Sequence, residues 1–209
     1  MHIDFAQLTE YQRYKLMASL IVPRPIALVT TLGPDGTVNA APISMFNMVG
    51  EEPPIVMISM NRRSDRSLKD TARNIERTGE FVVHVADEAT AWQMHQCSVE
   101  HPPHVSETAV VGFTTLPSTA VAPPRIAETP VAFECTLFEK METESRKVFI
   151  GQVRWLHVRE GLVDAGTWRV DLDSYFPVGR FGGELYVRTR DRFKAALPAV
   201  VVWSCSALR

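Results

Sequence analysis

The sequence has few of the features that mark secreted, membrane or nucleic-acid-binding proteins. It contains three cysteines, Cys97, Cys135 and Cys205, and no Cys-x-x-Cys pair, so we expect reduced thiols rather than a disulfide framework. The formal net charge of -2 gives no general attraction for nucleic acid or for an anionic membrane. The first residues lack the basic start and apolar run of a secretory signal. These absences favour a cytoplasmic protein whose partners are selected by local sites.

Long apolar runs and dinucleotide-binding motifs are also missing. The longest apolar stretch, residues 195–208, is interrupted by Pro198 and is shorter than the roughly 20 residues that a membrane helix needs. We expect this stretch to pack on the domain or on a second subunit. No Gly-x-Gly-x-x-Gly occurs, and the pair Gly182-Gly183 does not replace it. A nicotinamide dinucleotide is therefore expected to bind transiently rather than in a Rossmann domain of its own.

What the sequence does contain is a series of short, β-branched segments separated by turns. The 209 residues, 45% of them hydrophobic, predict one domain over residues 1–209 with a single core. A short helix is predicted within Gln7–Ala18, and a second helix is predicted to end at Gly79. The predicted strands are residues 25–31, 38–44, 55–60, 80–85, 131–140 and 148–158. This pattern predicts a mostly β fold, a closed antiparallel β-barrel with peripheral helices.

The start of the second helix is a candidate anion site. Ser64 or Asp65 is predicted to cap it, and Leu68, Ala72 and Ile75 have the spacing of one buried face. Unpaired N–H groups and the helix dipole favour an anion at such an end. Cationic and hydroxyl side chains surround it, namely Arg62, Arg63, Ser64, Ser67 and Lys69, with Ser44 on a neighbouring strand. An ordinary solvated helix start is the alternative that these residues leave open.

Several short segments, taken in order, resemble the FMN-binding split barrel of the flavin reductase-like family. They are Pro23–Thr31, Asn39–Phe46, Ser59–Arg63, Ser67–Thr71, Pro123–Val131 and Arg180–Tyr186. The resemblance covers about residues 20–186, which is nearly the whole chain. It implies the FMN-binding split barrel as the fold and FMN as the cofactor, with FAD as the alternative.

The resemblance also implies which residues bind the cofactor. Family members place the strand after Pro23 against the flavin ring, which needs a flat and mostly apolar slot. The implied residues are Arg24, Pro25, Ala27, Leu28, Val29 and Thr30 on this strand; Asn39, Ala41, Pro42, Ser44 and Phe46 on the next segment; and Ser59, Asn61, Arg62, Arg63, Ser64, Ser67 and Lys69 around the helix start. The apolar members also suit an ordinary core. We expect backbone N–H groups of residues 27–31, or the charge of Arg24, to stabilise the reduced ring.

Histidines and cysteines elsewhere point to no metal and no catalytic residue. His95, Cys97, His101 and His104 have metal-ligand chemistry, but their spacing fits no regular zinc pattern. Similarity to the family favours a lid over the flavin site for residues 92–108. His84 interrupts an apolar strand, as does His157, and both are predicted to be hydrogen-bonded rather than catalytic. No Ser-His-Asp set can be placed from spacing, and the flavin itself supplies the reactivity, so no general acid or base is predicted.

The function implied by the resemblance is that of an oxidoreductase. The leading hypothesis is an NAD(P)H:flavin reductase, or a flavoprotein reductase with bound FMN, that uses NADH or NADPH as a transient co-substrate. Similar proteins reduce flavin for a monooxygenase or pass electrons to small acceptors, and they form homodimers. An FMN-binding electron carrier fed by a separate reductase is the main alternative, and a flavin-binding regulatory or storage protein is a third. The expected partners are a small-molecule substrate or electron acceptor and a monooxygenase or redox protein, with neither nucleic acid nor membrane.

Overall fold

A computed structural model describes residues 1–195 of the chain. A 3-10 helix at Phe5–Gln7 precedes four α-helices, which are α1 (Glu10–Leu20), α2 (Asp70–Thr78), α3 (Ala91–Gln96) and α4 (Glu107–Val111). The strands are β1 (Arg24–Pro25), β2 (Ala27–Leu32), β3 (Val38–Ile43), β4 (Phe46–Glu51), β5 (Pro54–Asn61), β6 (Glu80–Val85), β7 (Thr115–Leu116), β8 (Arg125–Ile126), β9 (Val131–Glu142), β10 (Arg146–Val158), β11 (Val163–Asp164), β12 (Arg169–Val170), β13 (Val178–Gly182) and β14 (Leu185–Arg188). None of the helices in this part of the chain has the length and apolar character to cross a membrane. Beyond residue 195, the predicted apolar stretch and Cys205 lie outside the described residues.

Seven antiparallel strands form the principal sheet, in the order β3-β2-β6-β9-β10-β5-β4. The mostly β architecture with peripheral helices is therefore confirmed, and β4 is a strand that the sequence pattern did not reveal. The predicted full closure is wrong in one respect, because β3 pairs with β2 alone within the described residues. Near this break, the Ser59 amide of β5 donates to the carbonyl oxygen of Met45 at 2.8 Å. Pro42 lies in the end strand β3, as an edge position predicts, since proline offers no N–H to a ladder.

The second strand separates two hydrophobic cores. Successive side chains of a strand point to opposite faces. Ala27 and Val29 lie in the larger core with Phe81, whereas Leu28 lies in the second core with Met94 of α3. All of these side chains are fully buried. The principal sheet is therefore covered at β2 on both faces, and the ends of β3 and β5 are left to form a site.

The start of α2 differs from the prediction. Ser64 and Asp65 do not cap the helix, because its N-cap residue is Lys69. The Asp65 carboxylate instead accepts a hydrogen bond of 2.9 Å from the Ser67 amide, which closes a local turn. Short acidic side chains form such turns in competition with helix. The predicted end of the helix is confirmed, since Gly79 has a φ of 69° in the left-handed region.

Candidate functional site

Two clefts lie side by side where α1, β3, the end of β5 and the first turn of α2 meet. The first cleft has a volume of about 220 Å³ and the second a volume of about 360 Å³. Both are lined by Tyr14, Pro42, Ser44 and Ser98, so they form one continuous groove. Together they reach the size of pockets that hold small molecules.

The groove brings together part of the predicted cofactor site. The first cleft is lined by Asn39, Ala41, Pro42, Ser44, Ser59, Asn61, Arg63 and Lys69, and the second by Arg24, Pro42 and Ser44. The predicted residues that line neither cleft are Pro25, Ala27, Leu28, Val29, Thr30, Phe46, Arg62, Ser64 and Ser67. The polar predicted residues therefore gather in the groove more completely than the apolar ones.

The β2 residues pack in the two hydrophobic cores and pair with the neighbouring strands. The side chains of Ala27, Leu28 and Val29 are buried in the hydrophobic clusters, and the Thr30 hydroxyl donates to the carbonyl of Pro124 at 2.6 Å. From Ala27 to Thr30 the strand is paired with β3 on one side and with β6 on the other. Its N–H groups are therefore used in ladders. The expectation that the amides of residues 27–31 stabilise a reduced ring stays a prediction, and the pairing of residues 27–30 on both sides makes Arg24 the stronger candidate for that role.

Most of the other predicted residues outside the groove also have structural partners. Phe46 packs against the larger core, and Arg62 pairs with the Glu142 carboxylate. Ser64 and Ser67 belong to the exposed or half-exposed turn before α2. These four residues line neither cleft.

The first turn of α2 forms the cationic end of the first cleft. The Lys69 side chain makes no capping hydrogen bond, so the first amides of the helix, which have no partner within a helix, remain available to a ligand. Arg63 is bonded to the Asp70 carboxylate at 2.5 Å, and Lys69 lies 3.7 Å from Glu100. Thr71 completes this end. Free amides, a helix dipole and two cations at one place are what a phosphate group requires.

A buried hydrogen-bond network fixes this turn against the sheet. The Asn39 amide nitrogen donates to the Thr71 hydroxyl at 2.9 Å and approaches the Thr31 hydroxyl at 3.4 Å. The Asn74 amide donates to the same Thr31 hydroxyl at 3.0 Å. The helix tip is therefore held to the hairpin of β2 and β3. Thr71 was missed as a site residue, although it belongs to one of the segments that carry the resemblance.

Arg146 is another cleft residue that sequence reasoning missed. It is the first residue of β10 and lies opposite Asn61 in the ladder with β5. Its guanidinium donates to the Ser59 hydroxyl at 2.8 Å and to the Ser59 carbonyl at 2.9 Å. Burial lowers the pKa of this guanidinium, and the nearby Tyr14 opposes that effect. Only the strand register brings Arg146 to the groove, so no local motif signals it.

Part of the predicted lid, residues 92–108, forms one wall of the first cleft. Cys97, His101 and Glu107 line it, and the Glu107 carboxylate accepts a hydrogen bond of 3.0 Å from the Ala40 amide. Burial raises the pKa of the Glu107 carboxyl. Burial and the charge of Glu107 raise the pKa of the Cys97 thiol to about 12, so this thiol is not a ready nucleophile. Within residues 1–195, no group of three or more His, Cys, Asp or Glu residues could hold a metal ion.

The two strand histidines are hydrogen-bonded, as predicted. The Ile126 amide donates to His84 Nε2 at 2.8 Å, so Nδ1 carries the proton and donates to the Leu28 carbonyl at 2.9 Å. His157 Nε2 lies 2.5 Å from the fully buried carboxylate of Glu134. Neither ring lines the groove, which agrees with a structural role for both.

Comparison with known proteins identifies the class to which this fold and groove belong. Residues 17–174 match the family model described as the flavin reductase like domain. The chain belongs to this family, and it is a split-barrel protein with a flavin-related oxidoreductase role. The resemblance read from the sequence segments is thereby confirmed.

Three solved structures illustrate the likeness. The 2-nitrobenzoate 2-nitroreductase NbaA of Pseudomonas fluorescens is 39% identical, with a TM-score of 0.88 over 96% of this chain and 98% of that one. Component B of the nitrilotriacetate monooxygenase of Bacillus cereus is 32% identical, with a TM-score of 0.87 over 93% and 98%. A Shewanella frigidimarina structure with a split barrel domain is 22% identical, with a TM-score of 0.79 over 95% and 99%, and it shows the fold alone.

Proposed function

We propose that this protein is an FMN-dependent oxidoreductase that takes electrons from NADH or NADPH and passes them to a small-molecule acceptor or to a redox partner. The observation that carries the proposal is the first cleft, in which the uncapped start of α2 lies beside Lys69, Arg63 and Arg146. Family membership makes the cofactor a flavin. A mononucleotide fits best, because the free amides of α2 and the cations Arg63 and Lys69 lie together in the first cleft, where one phosphate group would bind.

The residues of the groove suit the separate parts of FMN. Lys69 and the first amides of α2 would hold the phosphate. A helix N-terminus stabilises the nearly two negative charges that this group carries. Asn39 and Thr71, fixed by their hydrogen bond, would keep this end rigid. Arg24, which contacts Ser44 on the wall shared by the two clefts, remains the group expected to stabilise negative charge on the ring from the side of the second cleft. When bound, a flavin accepts hydride and releases electrons singly or in pairs.

Two relatives support the acceptor part of the proposal. The name of NbaA indicates a small nitroaromatic substrate, and the name of the Bacillus cereus protein indicates a monooxygenase component. Either a small-molecule acceptor or a monooxygenase partner is therefore consistent with this chain's family. We further propose that residues 1–209 act as one domain, that the protein is cytoplasmic, and that it forms a homodimer, which size-exclusion chromatography with light scattering would test.

The decisive experiment is a flavin titration followed by turnover with NADH and NADPH. We expect purified protein to bind FMN more tightly than FAD, as measured by flavin fluorescence, and to oxidise at least one of the two nucleotides. Replacing Lys69 with Gln should weaken FMN binding by about tenfold, because one charge-assisted contact to the phosphate is lost from a half-exposed position. Riboflavin, which lacks the phosphate, should bind the variant and the parent protein equally.

A matched control is Arg169→Gln, which removes the same charge from an exposed strand outside the groove. It should leave FMN affinity unchanged. Equal binding of FMN by the Lys69 variant and the parent protein would contradict the phosphate assignment. Tight FMN binding without oxidation of either nucleotide, but with reduction by a separate reductase, would favour the electron carrier instead.

A further inference from the structure

The second cleft carries positive charge without any carboxylate to balance it. Lys15, Arg24 and Arg180 line this cleft, and no Asp or Glu does. Within residues 1–195, none of these three cations takes part in an ion pair. The first cleft, in contrast, includes Asp70 and Glu100 close to its cations. The two halves of the groove therefore differ in charge.

Two of these cations face each other across a strand ladder. Arg24 of β1 and Arg180 of β13 are direct partners in an antiparallel pair. Like charges directly opposite each other destabilise such a pair. Arg24 is only 8% exposed. Burial lowers the pKa of its guanidinium, and Arg180 lowers it further, while Tyr14 acts in the opposite direction. A bound anion would attract both guanidinium groups and so offset the repulsion between them.

Both guanidinium groups keep donors for such an anion. Arg24 donates from Nη1 to the carbonyl of Ala18 and to that of Ile21, the latter at 2.7 Å, and from Nε to the Ser44 hydroxyl at 3.4 Å. Arg180 uses Nη1 on the Tyr186 hydroxyl. The Nη2 atom of each arginine makes no hydrogen bond within the part of the chain that the structure describes. The planar fork of a guanidinium matches a carboxylate in two-point contact.

Tyrosine rings supply flat walls beside these cations. Tyr11, Tyr14 and Lys15 are three and four residues apart on α1, which places them on one face of this helix. Across the cleft, the Tyr186 hydroxyl is hydrogen-bonded to His95 Nδ1 at 2.8 Å, and its ring lies 4.8 Å from the Arg180 guanidinium. Aromatic walls with a cationic end suit a ligand that has a planar body and a single anionic group.

We propose that the second cleft binds the carboxylate of a small aromatic acid, which is the acceptor class of this enzyme. The assignment rests on the proposed function for placing a flavin in the adjoining cleft. Lys15 and Arg180 hold the carboxylate together with Arg24, and the tyrosines contact the ring. The volume of about 360 Å³ accommodates one substituted ring. The walls shared with the first cleft, at Pro42 and Ser44, let such a ring adjoin the bound cofactor.

The test is isothermal titration calorimetry of benzoate and of its neutral isostere benzamide, on the protein with and without FMN. We expect benzoate to bind, and benzamide to bind at least tenfold more weakly. Lys15→Gln and Arg180→Gln should each weaken benzoate binding by about tenfold and leave benzamide binding unchanged, because only the charge-assisted contact is lost. Arg169→Gln should leave benzoate binding unchanged. Lys15 is exposed on α1, so its variant tests the site even if Arg180→Gln disturbs the β13–β14 hairpin.

Three results would overturn the assignment. The first is equal affinity for benzoate and benzamide, and the second is unaltered benzoate binding by the Lys15 variant. The third is tighter binding of inorganic pyrophosphate than of benzoate, with the pyrophosphate affinity reduced in the same variants. The last result would assign the cations to a phosphate-bearing ligand. If benzoate binds as expected but neither FMN nor FAD binds, the carboxylate site stands and the proposed flavin function fails.

Discussion

The buried histidine of β6 gives a quantitative prediction about stability and pH. His84 has no exposed surface, and both ring nitrogens are used in the neutral form, one donating to Leu28 and the other accepting from Ile126. Burial lowers the pKa of His84 from 6.5 to about 4, and the charges of Arg125 and His157 contribute, while the Leu28 hydrogen bond opposes the shift. Protonation of the ring would place two N–H groups against each other at Ile126.

The sign of the effect follows from the lowered pKa in the folded state. Between pH 6.5 and pH 4, His84 binds a proton in the unfolded chain but not in the folded chain. The free energy of unfolding therefore falls as the pH falls. With about 1.4 kcal/mol for each pKa unit, this group removes about 2 kcal/mol between pH 7 and pH 5. The stabilisation is complete above the unfolded pKa and is lost toward the folded one.

The measurement is urea unfolding at pH 7 and pH 5, followed by circular dichroism. In His84→Asn, a polar but non-titrating side chain replaces the ring. The variant should be less stable than the parent protein at pH 7, because the smaller side chain leaves a cavity. Its free energy of unfolding should nevertheless fall by about 2 kcal/mol less than that of the parent between the two pH values. His104→Asn, at an exposed loop position, serves as the control and should retain the parent dependence. Identical pH dependence in the His84 variant and the parent protein would refute the reasoning.

Two further predictions concern the barrel interior and the buried thiols. Gly151→Ala should lower the free energy of unfolding by about 1–3 kcal/mol, since a Cβ there would meet Phe81 Cε1 at 3.0 Å and Cys135 Cβ at 3.1 Å; an unchanged melting temperature would contradict this. Because burial raises the pKa of both Cys97 and Cys135 to about 12, iodoacetamide should modify them far more slowly in native protein than in urea at pH 8, as read by peptide mass spectrometry. Equal rates in the two conditions would show that the thiols are accessible.

The parts of the fold that follow from local chemistry were predictable from sequence. Residues 80–85 form the predicted strand, and Gly79 ends α2 because its backbone adopts the left-handed conformation. The predicted helix cap was wrong because an Asp side chain can either cap a helix or accept a hydrogen bond within a turn. The Asp65 side chain does the second. Strand β4, which begins at Phe46, was missed because its residues are mostly exposed and lack the alternation of a half-buried strand.

The candidate site was predictable where residues lie close together in sequence. Lys69 and Asn39 belong to segments whose order along the chain indicated a flavin protein, and both line the first cleft. Arg146 and Arg180 reach the groove only through ladder register, at positions opposite Asn61 and Arg24. Such long-range pairing depends on how strands align in three dimensions, and a single sequence carries little information about it.

The contact between Glu107 and the Ala40 amide affects how this protein can be redesigned. Ala40 lies on the end strand of the sheet, where unpaired amides can pair with strands of other molecules. The Glu107 carboxylate, on the cleft wall, accepts the hydrogen bond of the Ala40 amide and so keeps it paired. Nearby, the Ser106 hydroxyl donates a hydrogen bond of 2.7 Å to the Val38 carbonyl. Libraries that vary this wall to change substrate choice would therefore also alter resistance to aggregation. Diversity is better introduced at residues 98–101, with Ser106 and Glu107 kept unchanged.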